Sequence, residues 1–196
     1  MKIIGVTGGS GTGKTTFCEF LEALGAKSID ADIVYYNLLE SCPALITEIR
    51  DNFSAEIFDE AGRLDRKSLG RIVFADKSSL RLLNSIAIPY VRQEIDRLIA
   101  QMPAELPLLV INAPTLYESG ADTLCEKVFA LVADADFRLK RICARDGVNE
   151  LYAALRINAQ PGDNFYVNCG AVLIENHGDL EALKQKAGDI YHELVL

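Results

Sequence analysis

Apolar positions along the chain keep two different rhythms, and the alternation between them sorts it into strands and helices. KIIGVT (2–7) is a short β-rich apolar run, and KSID (27–30) reads as a second strand. Three more runs, LPLLVIN (106–112), KVFALVA (127–133) and AVLIE (171–175), are apolar without alternation. Strands of that kind are covered on both faces, as in a parallel sheet. Between the first two runs, Phe17, Phe20, Leu21 and Leu24 recur at the i, i+3, i+4, i+7 spacing of one helical face, and Gly25 supplies a stop. A helix is expected over 136–146, and the last helix carries Leu180, Leu183, Ala187, Ile190 and Leu194 on one side. Strands alternating with helices predict an α/β fold, a five-stranded parallel sheet flanked by helices.

Two segments break the alternation. Residues 32–105 are too long for one crossover and read as several helices, an insert between a core made of 1–31 and 106–196. Residues 147–170 are expected to be half helix and half loop, a lid within that core.

Charge and cysteine content narrow the partners. The 196 residues carry a net charge of −8, a surface that repels nucleic acid and anionic membranes but still admits a small anion held by a few cleft residues. Cys18, Cys42, Cys125, Cys143 and Cys169 are odd in number, scattered and free of Cys-x-x-Cys spacing, which predicts reduced, mostly buried thiols rather than a disulfide framework or a zinc site. With no signal-peptide pattern and no membrane-length apolar run, the expected setting is the cytoplasm.

The first turn-forming stretch carries the strongest chemical signal. Gly8-Gly9-Ser10-Gly11-Thr12-Gly13-Lys14-Thr15 fits G-x-x-x-x-G-K-[ST] at every fixed position, after a strand and at the opening of an amphipathic helix. Glycines let the backbone curl so that successive N–H groups face phosphate oxygens, and the helix N-terminus adds partial positive charge. Residues 8–16, ending in Thr15 and Thr16, are therefore expected to cradle the ATP phosphates, with Lys14 on the β/γ-phosphates and the Thr15 hydroxyl on Mg²⁺. Such a loop establishes nucleotide binding and leaves the reaction open.

Candidates for the reaction lie downstream. Asp30 and Asp32 close the second strand at its carboxyl edge, where open α/β sheets bind ligands; either could serve a hydroxyl acceptor as base or simply cap the next helix. Asp32 is the stronger candidate base. Arg138, Arg141 and Arg145 share one helical face in DADFRLKRICARD (134–146); Arg141 and Arg145 are favoured as phosphate contacts over Arg138, and Arg156 is a further candidate. His177 and His192 have no ligand-spaced partner and read as surface residues.

Taken together, GVTGGSGTGKTT, IDAD (29–32), GRLDRKSLGRIVF (62–74), LLNSIAIPYV (82–91), APTLYESG (113–120), FRLKRICARD (137–146), RINAQ (156–160) and VLIEN (172–176) resemble, in order, the dephospho-coenzyme A kinase family, relatives of the nucleoside monophosphate kinases. The resemblance implies a P-loop NTPase fold with a helical acceptor-binding insert and a lid. It also implies ATP-dependent phosphorylation of the ribose 3′-hydroxyl of dephospho-coenzyme A. By position, Asp32 resembles the base, Lys14 the phosphate-holding lysine, Arg141 and Arg145 the lid-side arginines, and Arg66 an acceptor-side contact. The chain departs from the pattern at Tyr36 and Tyr166, where basic residues are usual, at Ile88, where a histidine precedes the proline, and at Asn112, where an aspartate often ends the third strand. On the residues alone, another small hydroxyl or monophosphate acceptor stays open, as does a nucleotide-binding protein without phosphoryl transfer.

Overall fold

The computed structural model describes residues 1–195. Five parallel strands, β1 (Lys2–Thr7), β2 (Lys27–Asp30), β3 (Leu108–Asn112), β4 (Lys127–Val132) and β5 (Val172–Glu175), make one sheet in the order β2-β3-β1-β4-β5. β1 is central and runs in register with β3 from Lys2 opposite Leu108 to Val6 opposite Asn112. The loop after β1 therefore opens at the carboxyl edge of the sheet, beside the ends of β3 and β4, where open α/β folds bind ligands.

Each face of the sheet has its own core. Leu108 and Val110 point to one face, where Phe17 and Leu21 of α1 (Lys14–Ala23) meet Leu183, Ala187 and Tyr191 of α9 (Leu180–Val195). Leu109 and Ile111 point to the other face and pack with Ile29, Ile95 and Leu116. All five residues of β3 are buried, as its unbroken apolar run predicts. β5 is different. It sits at the sheet edge, and of its four residues only Ile174 is buried while Val172 is 42% exposed, so the expected cover on both faces fails there. An edge strand of four residues has a neighbour on one side only.

Between β2 and β3 the chain forms α2 (Ala31–Ser41), α3 (Pro43–Asn52), a short 3-10 turn, α4 (Arg66–Ala75) and α5 (Lys77–Ala100). They enclose a third cluster, with Leu45, Ile49, Ile57, Leu69, Val73 and Leu83 buried. Leu38 of α2 touches both this cluster and the sheet, which ties the two together. α6 (Ala135–Asp146) follows β4. The 147–170 segment is more helical than the sequence suggests: α7 (Glu150–Asn158) and α8 (Asp163–Asn168) leave only a short loop between them. Asn149 caps α7 by accepting the Tyr152 N–H at 2.9 Å, and Phe165 meets Tyr117 edge-on at 5.9 Å, which anchors α8 by aromatic packing.

Each fully buried Leu, Ile or Phe contributes about 1.5–3 kcal/mol, whereas exposed ion pairs such as Arg63–Asp59 contribute about 0–1 kcal/mol. The three apolar clusters hold the fold. All five cysteines are free, but only Cys18 is buried and Cys169 is exposed, which corrects the expectation of mostly buried thiols. Cys42 and Cys125 are partly buried against the apolar clusters, and Cys125 also donates to the Ala121 carbonyl. No helix among the described residues is long and apolar enough to cross a membrane.

Candidate active site

The loop predicted to hold phosphates joins Thr7 of β1 to Lys14, the first residue of α1. It can only turn this tightly with glycine at its start. Gly8 has φ +127°, and a Cβ there would lie 2.2 Å from the Leu131 carbonyl oxygen of β4. The Thr12 hydroxyl donates to the Gly9 carbonyl at 2.8 Å and locks the bend from inside. Thr15 and Thr16 fall in the first turn of α1, whose leading N–H groups have no partner within the helix and favour an anion. Lys14 folds back across the loop, its ammonium donating to the carbonyls of Gly8 at 2.8 Å and Gly9 at 3.2 Å. Crowding by protein pushes this ammonium down to about 8, against the opposing pull of the Asp32 and Asp30 charges.

Four side chains brace the loop from outside. Arg138 donates through Nε to the Ser10 carbonyl at 2.9 Å and through Nη2 to Gln160 Oε1 at 3.0 Å. Gln160 in turn accepts the Ser10 N–H at 2.8 Å and donates to the Ser10 hydroxyl at 3.0 Å. Arg141 donates to the Gly11 carbonyl at 3.0 Å, and buried Asn176, just after β5, donates to the Thr12 carbonyl at 2.8 Å. The arginine face of α6 is thus turned onto the loop rather than into solvent. Arg145 lies beyond it, paired with Asp146 at 2.6 Å; Asp146 also takes Arg156 at 2.6 Å. These bonds hold the Asp146 carboxyl below the usual carboxylate range.

Asp30 and Asp32, two residues apart, have separate jobs. Asp30 caps α2, one oxygen accepting the N–H groups of Asp32 and Ile33 at 2.9 and 3.1 Å, the other accepting Asn112 Nδ2 at 2.6 Å. Asp32 makes no such cap and opens on a cavity of about 240 Å³ that also contains Gly8, Ser10, Arg156 and Gln160. Solvent reaches its carboxylate from the cavity while protein crowds it elsewhere. That crowding raises its pKa; the Lys14 charge opposes the rise, Asp30 adds to it, and Arg156 and Arg145 oppose it. A carboxylate so placed faces the phosphate loop and can take a proton from a hydroxyl in the cavity.

The cavity continues away from the loop between Val73, Phe74, Leu83, Ala87 and Ile88 on one side and Tyr35, Glu118 and Tyr166 on others. Ile88 precedes Pro89 inside α5, so the usual histidine position is here an apolar wall. Tyr166 is buried, and burial pushes its hydroxyl up to about 12. Tyr36 also lines the cavity and carries Arg66 stacked over its ring at 4.8 Å, though Arg66 itself does not line that cavity. His177 and His192 are exposed, as expected.

Gln160, Asn176 and the loop contact of Arg138 were not legible as loop braces. Asn176 had one usable signal, a polar residue immediately after the last strand at the carboxyl edge of the sheet. Gln160 lies 150 residues from its partner Ser10, and only the fold brings them together.

With this geometry in hand, residues 2–182 match the model of the dephospho-CoA kinase family. A dephospho-CoA kinase of Anaeromyxobacter dehalogenans is 38% identical over 99% of this chain and 92% of its own length. Among solved structures, that of TT1252 from Thermus thermophilus superposes with a TM-score of 0.77 at 28% identity, covering 98% of this chain and 97% of that one. A dephospho-CoA kinase from Campylobacter jejuni does so with a TM-score of 0.67 at 27% identity, covering 100% and 98%. The chain belongs to the dephospho-CoA kinase family.

Proposed function

We propose that this protein transfers the γ-phosphoryl group of ATP to the ribose 3′-hydroxyl of dephospho-CoA, giving CoA and ADP, the last step of CoA biosynthesis. The observation that carries the reading is the shared cavity: the Asp32 carboxylate and the phosphate loop, at Gly8 and Ser10, line the same space. Residues 8–16 hold the triphosphate, and Lys14 moves from the Gly8 and Gly9 carbonyls to the β/γ-phosphates. Asp32 accepts the 3′-hydroxyl proton as that oxygen attacks phosphorus and the bond to ADP breaks. A base whose pKa is raised by its surroundings binds that proton better, provided it is ionised at the start. Arg141 and Arg145 serve the developing phosphate charge, and positioning and electrostatics supply the catalysis.

Residues 32–105 act as the acceptor-binding insert and 147–170 as the lid. The apolar stretch of the cavity between α4 and α5 suits the uncharged arm of the acceptor, and Arg66 on Tyr36 suits its phosphates. The donors near the loop also fit Mg²⁺, which takes oxygen ligands and keeps several waters. Asn112 Oδ1 is a buried acceptor with no partner at the end of β3, beside β1, and Thr15 is exposed in the first turn of α1. Thr15 and, through water, Asn112 would hold the ion, which would supply neutralisation of charge on the phosphates. Free cysteines agree with a cytoplasmic setting.

The test is a coupled ADP-release assay with dephospho-CoA, nucleosides and nucleoside monophosphates as separate acceptors. Turnover should require dephospho-CoA; release driven by a nucleoside monophosphate instead would replace the acceptor, and none with any acceptor would end the kinase assignment.

A further inference from the structure

Arg138 is the only charged side chain among the described residues that is buried, at 8% exposure. A buried guanidinium is costly without an anion, and none of the ion pairs among the described residues includes it. Its bonds go to neutral oxygens, the Ser10 carbonyl and Gln160 Oε1. Burial accordingly lowers its pKa, with Tyr166 and Asp163 opposing.

Gln160 Oε1 stands where two donors converge, the Ser10 N–H at 2.8 Å and Arg138 Nη2 at 3.0 Å. A backbone N–H of a phosphate loop and a guanidinium aimed at one oxygen form the donor pair that suits a phosphoryl oxygen. The corner is kept open by glycine: a Cβ on Gly9 would fall 2.2 Å from Arg138 Nη2 and 3.0 Å from Gln160 Oε1. Ser10 and Gln160 line the Asp32 cavity, whereas Arg141 and Asn176 reach the loop at Gly11 and Thr12. The corner therefore faces the acceptor, where the terminal phosphoryl group must lie.

We propose that Arg138 Nη2 and the Ser10 N–H form a subsite for an oxygen of the transferred phosphoryl group, which Gln160 Oε1 fills until the nucleotide arrives. Arriving nucleotide gives the buried guanidinium its anion, and Gln160 leaves with the segment that carries it. The subsite rests on the kinase function proposed above and adds to it a phosphate ligand and a side chain that the triphosphate displaces.

Calorimetric titration of AMP-PNP and of ADP, without acceptor, into the wild type, Arg138→Gln, Arg138→Lys and Gln160→Ala tests it. Arg138→Gln should raise the Kd for AMP-PNP about tenfold while changing that for ADP less than about twofold, because only AMP-PNP carries the terminal group. Arg138→Lys, which keeps the charge and loses the fork, should fall between. Gln160→Ala should bind AMP-PNP more tightly than the wild type and ADP unchanged. Equal losses for both nucleotides in the Arg138 variants would make Arg138 a loop scaffold and overturn the subsite. So would a Gln160→Ala loss of AMP-PNP matching that of Arg138→Gln, since Gln160 would then be a ligand itself. If Arg138→Gln does not fold, Arg138→Lys and Gln160→Ala decide the matter. A wild type that binds neither nucleotide would instead overturn the kinase function, and the subsite with it.

Discussion

The two sides of the cleft differ in the state of their polar groups. On the phosphate side nearly everything is already bonded: Lys14 to Gly8 and Gly9, Ser10 to Gln160 and Arg138, Gly11 to Arg141, Thr12 to Asn176. On the other side the cavity has apolar walls and the Tyr35 hydroxyl is buried without a partner, while near the loop the unpaired buried acceptor is Asn112 Oδ1. A nucleotide must exchange bonds that exist, whereas an acceptor supplies bonds that are missing. Buried polar groups left unpaired are costly, so the second side is the one whose ordering depends on its ligand. Substitutions on the two sides should therefore separate into different kinetic classes.

The largest separation is expected at Asp32, where the two sides meet. Asp32→Asn keeps size and polarity but removes the proposed base. Turnover should fall about a hundredfold or more, as loss of a general base does, with AMP-PNP affinity changed less than about twofold. Rapid-quench measurement of the transfer step beside equilibrium titration reads both quantities. An affinity loss as large as the turnover loss would place Asp32 on the nucleotide side and erase the distinction.

Packing beneath each side offers the next test. Ile49, under the α2–α5 walls, and Leu131, whose carbonyl borders Gly8, are both fully buried. Ile49→Ala and Leu131→Ala should each cost about 2–4 kcal/mol in thermal or denaturant unfolding. Their kinetics should diverge: Ile49→Ala raises KM for dephospho-CoA and spares ATP, and Leu131→Ala raises KM for ATP. Parallel changes in both KM values would mean that the shared Leu38 contact makes the two regions one cooperative unit.

The same division marks what was legible in the sequence. The phosphate loop is a local motif whose glycines, lysine and threonines are contiguous, and all five strands are runs long enough to read. Position favours Asp32 over Asp30 as base but leaves Asp30 open between base and cap; the cap bonds to Asp32 and Ile33 and the Asn112 contact assign Asp30 to structure. The favouring of Arg141 and Arg145 over Arg138 came from placement near the lid. The side-chain directions on α6 carry Arg138 as well as Arg141 onto the loop and leave Arg145 with Asp146. Loop braces from Gln160 and Asn176 arise at sequence separations of 150 and 164 residues, where no spacing rule operates. Edge exposure of β5 was hidden for a like reason, since the composition of an apolar run does not state its place in the sheet order.

The smallest effect is a proton. In the free protein Lys14 titrates near 8, below the ordinary lysine value, because protein crowds its ammonium. Bound phosphates favour the charged form and raise that pKa, so above pH 8 nucleotide binding must take up a proton. Affinity should be flat below about pH 7 and decline by up to about tenfold by pH 9, where about nine in ten Lys14 side chains of the free protein are neutral. The apo fold carries the opposite sign. Its lysine pKa lies below the unfolded value, so the unfolded chain binds more protons between about 8 and 10.5 and stability contributed by this group rises with pH across that window. AMP-PNP titrations at pH 9 in buffers of different ionisation enthalpy should return an uptake approaching one proton, and at pH 7 close to none. Lys14→Arg, charged throughout, should show no uptake at either pH. Wild-type binding at pH 9 without uptake would mean that the ammonium is already well solvated, and the phosphate side would then be no more closed than the side it faces.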